Sequence, residues 1–242
     1  MAAEVIAVCN QKGGSGKSTI AMHLAAALHD LGHHVLVVDA DPQNTLVRWS
    51  SSATEHPLPL RVISLAAAGN RIHREVAKYV PDHDYIVVDC PPGISTSGDT
   101  EVPVVVLGMA GLAIIPLGPS PADIWATQGM LRLVELAEAF NPDLKTFLLL
   151  TRVTEGTVLQ REAKKLLAEF NRPVFKTWIA DRECYKQVMG LGTTVLDAAT
   201  LTRLRIRGAV PAAKQIRELA QEVIHILQEE RPWDMREGKR RP

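Results

Sequence analysis

The stretch that decides the fold is Asn10-Gln-Lys-Gly-Gly-Ser-Gly-Lys-Ser-Thr19. It follows a short apolar run, Glu4–Cys9, and leads into Ser18–Leu31, where apolar residues recur at helical spacing. A glycine-rich turn between a strand and a helix is the context of a phosphate-binding loop. Glycines let the backbone turn tightly and aim its N–H groups inward, and the helix N-terminus adds partial positive charge. The stretch therefore predicts a nucleotide-binding loop in an α/β protein.

The residue types within the loop fit the chemistry of a bound nucleoside triphosphate. Lys17 is placed to reach the β- and γ-phosphates, and the hydroxyl of Ser18 to ligate Mg²⁺. The pattern departs from the usual GxxxxGK[ST], because Gln11 stands where the first glycine is expected. A second lysine also precedes the glycines. We expect nucleotide binding by Lys12, Gly13, Gly14, Ser15, Gly16, Lys17, Ser18 and Thr19.

Two acidic motifs follow strand-like runs elsewhere in the chain. Asp39-Ala-Asp-Pro-Gln43 follows one apolar run, and Asp89-Cys-Pro-Pro92 follows another at Tyr85–Val88. Ligands of open α/β sheets bind outside the carboxyl ends of the strands, so these acids are expected beside the loop. The combination predicts a metal–triphosphate site with Ser18, Asp39 and Asp89 around the metal. Taken alone, each aspartate is equally typical of a strand-end turn or a helix cap.

Short apolar runs alternate with longer helical ones along the whole chain. Strands without polar alternation, separated by helices, predict a mostly parallel, twisted sheet with helices on both faces. We expect about seven or eight strands, one of them at Val174–Trp178. Residues 1–230 are predicted to form one domain, and residues 231–242 a polar, basic tail.

Composition excludes several classes of protein. The 242 residues contain 27 Lys+Arg and 27 Asp+Glu, so bulk charge does not drive the chain onto nucleic acid or membrane. The three cysteines lie far apart, which favours a reducing cytosol over a disulfide or zinc scaffold. No apolar run reaches the ~18 residues of a membrane span, and no basic segment precedes the first apolar run. A cytoplasmic protein is expected.

The three motifs together resemble the ParA/MinD class of P-loop ATPases. KGGSGKST resembles the deviant Walker A motif of that class, DADPQ its second acidic motif, and VVDCPP its Walker B motif. The stretches Asp41–Ser50, Pro116–Asp123 and Leu150–Arg152 resemble short, ParF-like ParA proteins. Because no helix-turn-helix segment precedes residue 4, the short type is expected.

This resemblance implies a Mg²⁺-dependent ATPase that hydrolyses ATP to ADP and phosphate. It implies a sandwich homodimer with ATP at the interface, in which Lys12 reaches the partner's phosphates. Lys12, Lys17 and Asp41 would be catalytic, with Asp41 orienting the attacking water. Two alternatives stay open: Lys12 holds phosphate within its own subunit, and Asp41 only caps the segment that follows.

The resemblance also implies non-specific binding of double-stranded DNA by the ATP dimer, and hence association with the nucleoid. Residues 198–217 contain basic side chains and no acid, which makes them the candidate surface. A solvated face is the alternative, and the tail with Arg236, Lys239, Arg240 and Arg241 is a second candidate. No membrane binding is expected. The DNA-binding candidates are Arg203, Arg205, Arg207, Lys214 and Arg217.

The function predicted first is plasmid or chromosome segregation, with a ParB- or ParG-like partner that stimulates hydrolysis. The same ATPase switch positioning a protein cargo, such as carboxysomes or chemoreceptor clusters, is the alternative. A small-molecule P-loop kinase or ligase is an alternative of another class. Arg152, after a late strand, is predicted either to stack on the purine base or to be an ordinary loop residue.

Overall fold

A computed structural model describes residues 2–53, 57–93, 102–168, 170–201 and 204–229. Within these residues six strands form one sheet in the order β3-β2-β4-β1-β5-β6, and every neighbouring pair is parallel. This confirms the predicted parallel α/β sheet. The strands are β1 (Glu4–Val8), β2 (Val35–Asp39), β3 (Arg61–Ser64), β4 (Tyr85–Asp89), β5 (Leu112–Leu117) and β6 (Lys145–Leu150).

Helices connect the strands and continue after the last one. Two short 3₁₀ segments, Ala66–Arg71 and Val80–Asp82, flank the third helix. The helices are α1 (Lys17–Asp30), α2 (Thr45–Ser51), α3 (Ile72–Ala77), α4 (Val102–Leu107), α5 (Pro121–Glu138), α6 (Val158–Ala168), α7 (Cys184–Gly190), α8 (Val195–Thr200) and α9 (Ala209–Gln228).

The sheet is covered on both faces, as the apolar strand runs predict. Side chains alternate along β1: Ile6 and Val8 pack with α1 and α9, whereas Val5 and Ala7 pack with α3 to α6. Both sets are buried, so β1 has no solvated face. Burial on both faces explains why the strands carry no polar alternation.

The strand count differs from the prediction, because Val174–Trp178 does not form a strand. Its segment runs beside β6 and makes only isolated bridges, Leu148 with Val174 and Val153 with Ala180. Between these bridges, the backbone N–H groups of residues 176 and 177 donate to the carboxylate of Glu222 on α9, at 2.7 and 3.1 Å. The carboxylate thus takes the N–H of residue 177, which a seventh strand would have offered to β6.

The strand order indicates at which edge of the sheet a ligand would bind. The chain moves from β1 to β2 and β3 on one side, returns through β4, and then crosses to β5 on the other side of β1. Such a reversal opens a crevice at the carboxyl end of the central strand, where ligands of α/β sheets bind.

Two further predictions concern membrane-spanning segments and the C-terminal tail. No helix among the described residues is long and apolar enough to cross a membrane. The predicted boundary at residue 230 and the basic tail lie outside the described residues.

Candidate functional site

The glycine-rich loop lies at the carboxyl end of β1 and ends where α1 begins. Gly14 and Gly16 have φ of 72° and 98°, a backbone conformation that L-residues rarely adopt. Gly16 is the N-cap of α1, and Lys17 is its first residue. The fold therefore gives this loop the strand–turn–helix geometry of a phosphate-binding loop.

One side of the loop is fixed by Asn10, a residue that sequence reasoning did not single out. Its side-chain amide donates to the carbonyl of Pro116 at the end of β5, at 2.8 Å. Its side-chain oxygen accepts the backbone N–H of Lys12 at 3.1 Å. Asn10 is fully buried, and its two bonds connect the loop backbone at Lys12 to the neighbouring strand β5.

The other side of the loop is held by two residues that follow β6. The hydroxyl of Thr151 donates to the carbonyl of Ser15 at 2.9 Å, and the guanidinium of Arg152 donates to the carbonyl of Gly14 at 2.7 Å. The structure thus brings the guanidinium of Arg152 to the glycine-rich loop. Stacking of Arg152 on a purine stays a prediction.

Lys17 is buried, and its ammonium is turned back into the loop. Its Nζ atom lies 3.5 Å from the carbonyl oxygen of Lys12. Because the ammonium faces the space enclosed by the loop, it is positioned where an anion held by the loop would meet it.

The two strand-end aspartates come together as predicted. Asp39 and Asp89 are register partners at the ends of β2 and β4, and both are fully buried. Neither carboxylate oxygen of Asp89 has a well-formed hydrogen bond within the described residues. Burial raises the pKa of Asp89 to about 7, although the Ser18 hydroxyl and the Lys17 charge oppose this shift.

Asp89 and Ser18 are the residues that fit a divalent cation. A buried carboxylate with two unpartnered oxygens is costly unless a positive charge or donor meets it. No cluster of three or more His, Cys, Asp or Glu side chains with metal-binding geometry occurs among the described residues. One carboxylate and one hydroxyl suit Mg²⁺, which typically takes one or two protein ligands together with waters and substrate phosphates.

Asp39 is used differently from Asp89, because three backbone N–H groups already occupy its oxygens. It accepts from Asp41 at 3.2 Å, and from Leu46 and Val47, in the first turn of α2, at 2.9 and 3.2 Å. Burial raises its pKa, and these three bonds oppose the rise. Asp39 therefore shapes the acidic turn and starts α2; its role as a metal ligand stays a prediction.

Asp41 makes the capping contact that one of its two interpretations expects. Its Oδ1 atom accepts the backbone N–H of Gln43 at 2.9 Å, which closes a tight turn. The side chain is only partly buried, at the same edge of the sheet as the loop. A role in orienting water is compatible with this turn and stays a prediction.

Lys12 has a partner that sequence reasoning missed. Its ammonium is paired with the carboxylate of Asp123, in the first turn of α5. Ser120 caps this helix: its hydroxyl accepts the backbone N–H of Asp123 at 3.2 Å. The pattern Ser-x-x-Asp at residues 120–123 is a capping signature that could have placed Asp123 at a helix start.

The candidate DNA-binding residues lie partly within the described chain. Leu204 and Ile206 pack against the core, whereas Arg205 and Arg207 are exposed. Arg203 lies outside the described residues. Two further cations are paired with acids, Lys214 with Glu218 at 3.8 Å and Arg217 with Asp30 at 3.0 Å.

The fold and the loop together define a P-loop nucleotide-binding protein. The chain belongs to the CobQ/CobB/MinD/ParA nucleotide binding domain family, which it matches over residues 6–195.

Two relatives cover most of the chain. It is 31% identical over 222 residues to the maintenance of carboxysome distribution protein A of Halothiobacillus neapolitanus, covering 90% of this chain and 95% of the relative. It is 27% identical over 258 residues to the chromosome-partitioning ATPase Soj of Thermus thermophilus, covering 93% of this chain and 96% of the relative.

A solved structure shares the fold. Cobyrinic acid a,c-diamide synthase from Mycobacterium smegmatis, with bound ATP analogue and magnesium, superposes with a TM-score of 0.68 at 23% identity. The match covers 95% of this chain and 97% of that one.

Proposed function

We propose that this protein is a Mg²⁺-dependent ATPase of ParA type that works as a switch. The observation that carries the proposal is the buried carboxylate of Asp89 beside Ser18 at the start of α1; neither of its oxygens accepts a well-formed hydrogen bond from the described residues. A phosphate loop alone binds anions, but a prepared cation site next to it selects a metal-bound nucleoside triphosphate.

The residues around the loop divide the work of binding and hydrolysis. Backbone groups from Gly13 to Thr19 and the Lys17 ammonium hold the phosphates, and Ser18 and Asp89 would hold Mg²⁺. When bound, Mg²⁺ neutralises charge on the phosphate oxygens. Asp41 orients the attacking water at the edge of the site. The structurally similar cobyrinic acid a,c-diamide synthase holds an ATP analogue and magnesium, which supports ATP and Mg²⁺ as the bound ligands.

Dimerisation makes the ATPase a switch. In the proposed cycle two ATP-bound subunits face each other, and Lys12 of each reaches the phosphates bound to the other. ATP is then part of the interface, so hydrolysis releases the dimer. The side chain of Lys12 is 37% exposed in the single chain, which leaves it free to change partner.

The proposed cellular role is to position a cargo along the nucleoid, in a chain of the short, ParF-like type. The ATP dimer binds double-stranded DNA without sequence preference through Arg205 and Arg207, with Arg203 and Lys214 contributing. A cargo-bound partner stimulates hydrolysis, as a ParB- or ParG-like protein would. The protein is thereby cytoplasmic and associated with the nucleoid.

Two cargoes are supported by different relatives. The 31% identical relative is a carboxysome distribution protein, which favours a protein cargo. The Soj relative is a chromosome-partitioning ATPase, which favours DNA segregation with the same site. We propose the protein cargo first, because that relative is the more similar of the two.

DNA binding tests the switch against a small-molecule kinase or ligase. The purified protein is titrated with a DNA duplex in the presence of ATP, ADP or no nucleotide, at two salt concentrations. We expect salt-sensitive binding with ATP only, and its loss in Arg205→Glu/Arg207→Glu. The matched control, Arg71→Glu/Arg74→Glu, reverses two exposed charges around α3 on the other face of the sheet. Binding that ignores the nucleotide, or that survives the first pair of reversals, contradicts the proposal.

A further inference from the structure

The carboxylate of Asp123 occupies a site built to hold it in one orientation. Asp123 is 6% exposed, and the Ser120 hydroxyl donates to its Oδ2 atom at 2.5 Å. Gly118 lies against the same oxygen, too close for any larger side chain at that position. The start of α5 thus presents a fixed, nearly buried anion.

That anion faces the nucleotide loop and takes its first lysine. Burial alone would raise the pKa of Asp123, but the bonds from Lys12 and Ser120, together with the charges of Lys12 and Arg152, lower it below its ordinary value. The carboxylate is therefore charged at neutral pH. The side chain of its partner Lys12 is 37% exposed, so the pair is closed on the carboxylate side and open on the lysine side.

The two residues before Lys12 contact β5 and α5. Asn10 is bonded to Pro116 on β5, and the side-chain amide of Gln11 lies against Gly129 on α5, where a larger residue would overlap it. Three successive loop residues are thus held by β5 and α5. An ammonium that leaves Asp123 for phosphate oxygens therefore exchanges one anion for another without moving the backbone anchors.

We propose that Asp123 is a positioning residue that retains Lys12 within its own subunit until ATP-driven dimerisation, so that this ion pair sets the ATP concentration at which dimers form. The inference rests on the proposed function, in which Lys12 reaches the partner's phosphates. One ammonium cannot fill both positions. Each dimer that forms must break two such pairs, one per subunit and therefore one for each ATP bound.

The first experiment examines the pair without nucleotide. Each lysine of the full chain is labelled with an amine-reactive acetylating reagent, and the rates are measured by peptide mass spectrometry. We expect Lys12 to react several-fold faster in Asp123→Asn than in the wild type. Glu138→Gln is the matched control, since it removes a partly buried acid of an ion pair at the other end of α5. Equal Lys12 rates in wild type and Asp123→Asn would overturn the inference.

The second experiment measures the consequence. Molar mass is followed by light scattering against the concentration of a slowly hydrolysed ATP analogue. We expect Asp123→Asn to form dimers at about tenfold lower concentration, the effect of losing a charge-assisted bond, and Glu138→Gln to match wild type. Ser120→Ala, which frees the carboxylate without neutralising it, should shift the midpoint less in the same direction and serves if Asp123→Asn unfolds.

The outcomes distinguish a failure of this inference from a failure of the proposed function on which it rests. A wild type that stays monomeric at saturating nucleotide overturns the proposed dimer, and the labelling result still decides whether the pair exists. A wild type that dimerises while Asp123→Asn dimerises at the same or higher concentration overturns the positioning role alone.

Discussion

Replacing Asp89 by asparagine is expected to stabilise the nucleotide-free protein while removing its Mg²⁺-dependent nucleotide binding. The carboxyl of Asp89 is fully buried, and both of its oxygens lack well-formed hydrogen bonds within the described residues. Burial raises its pKa from 3.8 to about 7. Between pH 3.8 and about 7 the folded protein therefore keeps a proton on Asp89 that the unfolded chain has already lost.

The sign and size of the effect follow from that difference. The unfolded chain binds fewer protons than the folded one between pH 3.8 and about 7, so the free energy of unfolding falls as pH rises through this window. The complete loss is about 4 kcal/mol, at roughly 1.4 kcal/mol for each unit of pKa. Most of it develops between pH 5 and pH 8, and asparagine, which does not titrate, abolishes it.

Urea unfolding of wild type and Asp89→Asn at pH 5 and pH 8 measures the effect. We expect the variant's gain in free energy of unfolding to be about 2–3 kcal/mol larger at pH 8 than at pH 5. The cost of burying an amide cancels in this comparison, because it is the same at both pH values. Asp82→Asn, at an exposed position, is the control and should show no such change. A gain that is equal at both pH values would refute the reasoning.

Three further substitutions have defined outcomes. Asp41→Ala should retain ATP-dependent dimers while turnover falls at least about 100-fold, as measured by phosphate release beside light scattering; unchanged turnover would exclude a role for Asp41 with water. Gly192→Ala should lower the free energy of unfolding by about 2 kcal/mol or more, because φ is +66° and a Cβ would overlap the backbone of Ala53; an unchanged urea midpoint would contradict the packing. Thr151→Val should weaken nucleotide affinity and cost about 1 kcal/mol of stability by leaving the Ser15 carbonyl without its donor; an unchanged dissociation constant by calorimetry would show that this bond does not shape the loop.

The sequence alone predicted those elements whose local residue pattern agrees with their burial in the fold. The apolar runs at β1 and β4 have no polar side, because helices cover both faces of the sheet, and they were predicted to within one residue. The loop at residues 10–19 was equally predictable, since glycine at a positive φ and a lysine at a helix start are local requirements.

Tertiary context decided the elements that the pattern missed. The segment of α4, Val102–Leu107, is rich in β-branched residues that favour strands, yet its apolar side chains are buried as a helix against the sheet. At Val174–Trp178 the opposite happened: the sequence is strand-like, but Glu222, 46 residues beyond Lys176, accepts the backbone N–H groups of residues 176 and 177. Neither outcome has a local signal.

In the site, too, local motifs predict some residue positions and tertiary contacts decide others. The positions of Lys17, Ser18 and Asp89 in the fold could be predicted from their motifs, because each motif places its residue at a strand end or helix start. The partner of Lys12 could not, since Asp123 lies 111 residues away and meets the loop only through the β5–α5 crossover. The three amides that occupy Asp39 likewise depend on where α2 begins.

Mixing two inactive variants tests most directly whether Lys12 acts across the dimer. Lys12→Ala and Asp41→Ala are purified separately, and phosphate release is measured for each alone and for an equimolar mixture. If Lys12 reaches the partner's phosphates, each mixed dimer contains one site with both residues, and turnover recovers to roughly a quarter of wild type. If Lys12 serves only the nucleotide of its own subunit, no site in the mixture is complete. A mixture as inactive as its components would then contradict the account.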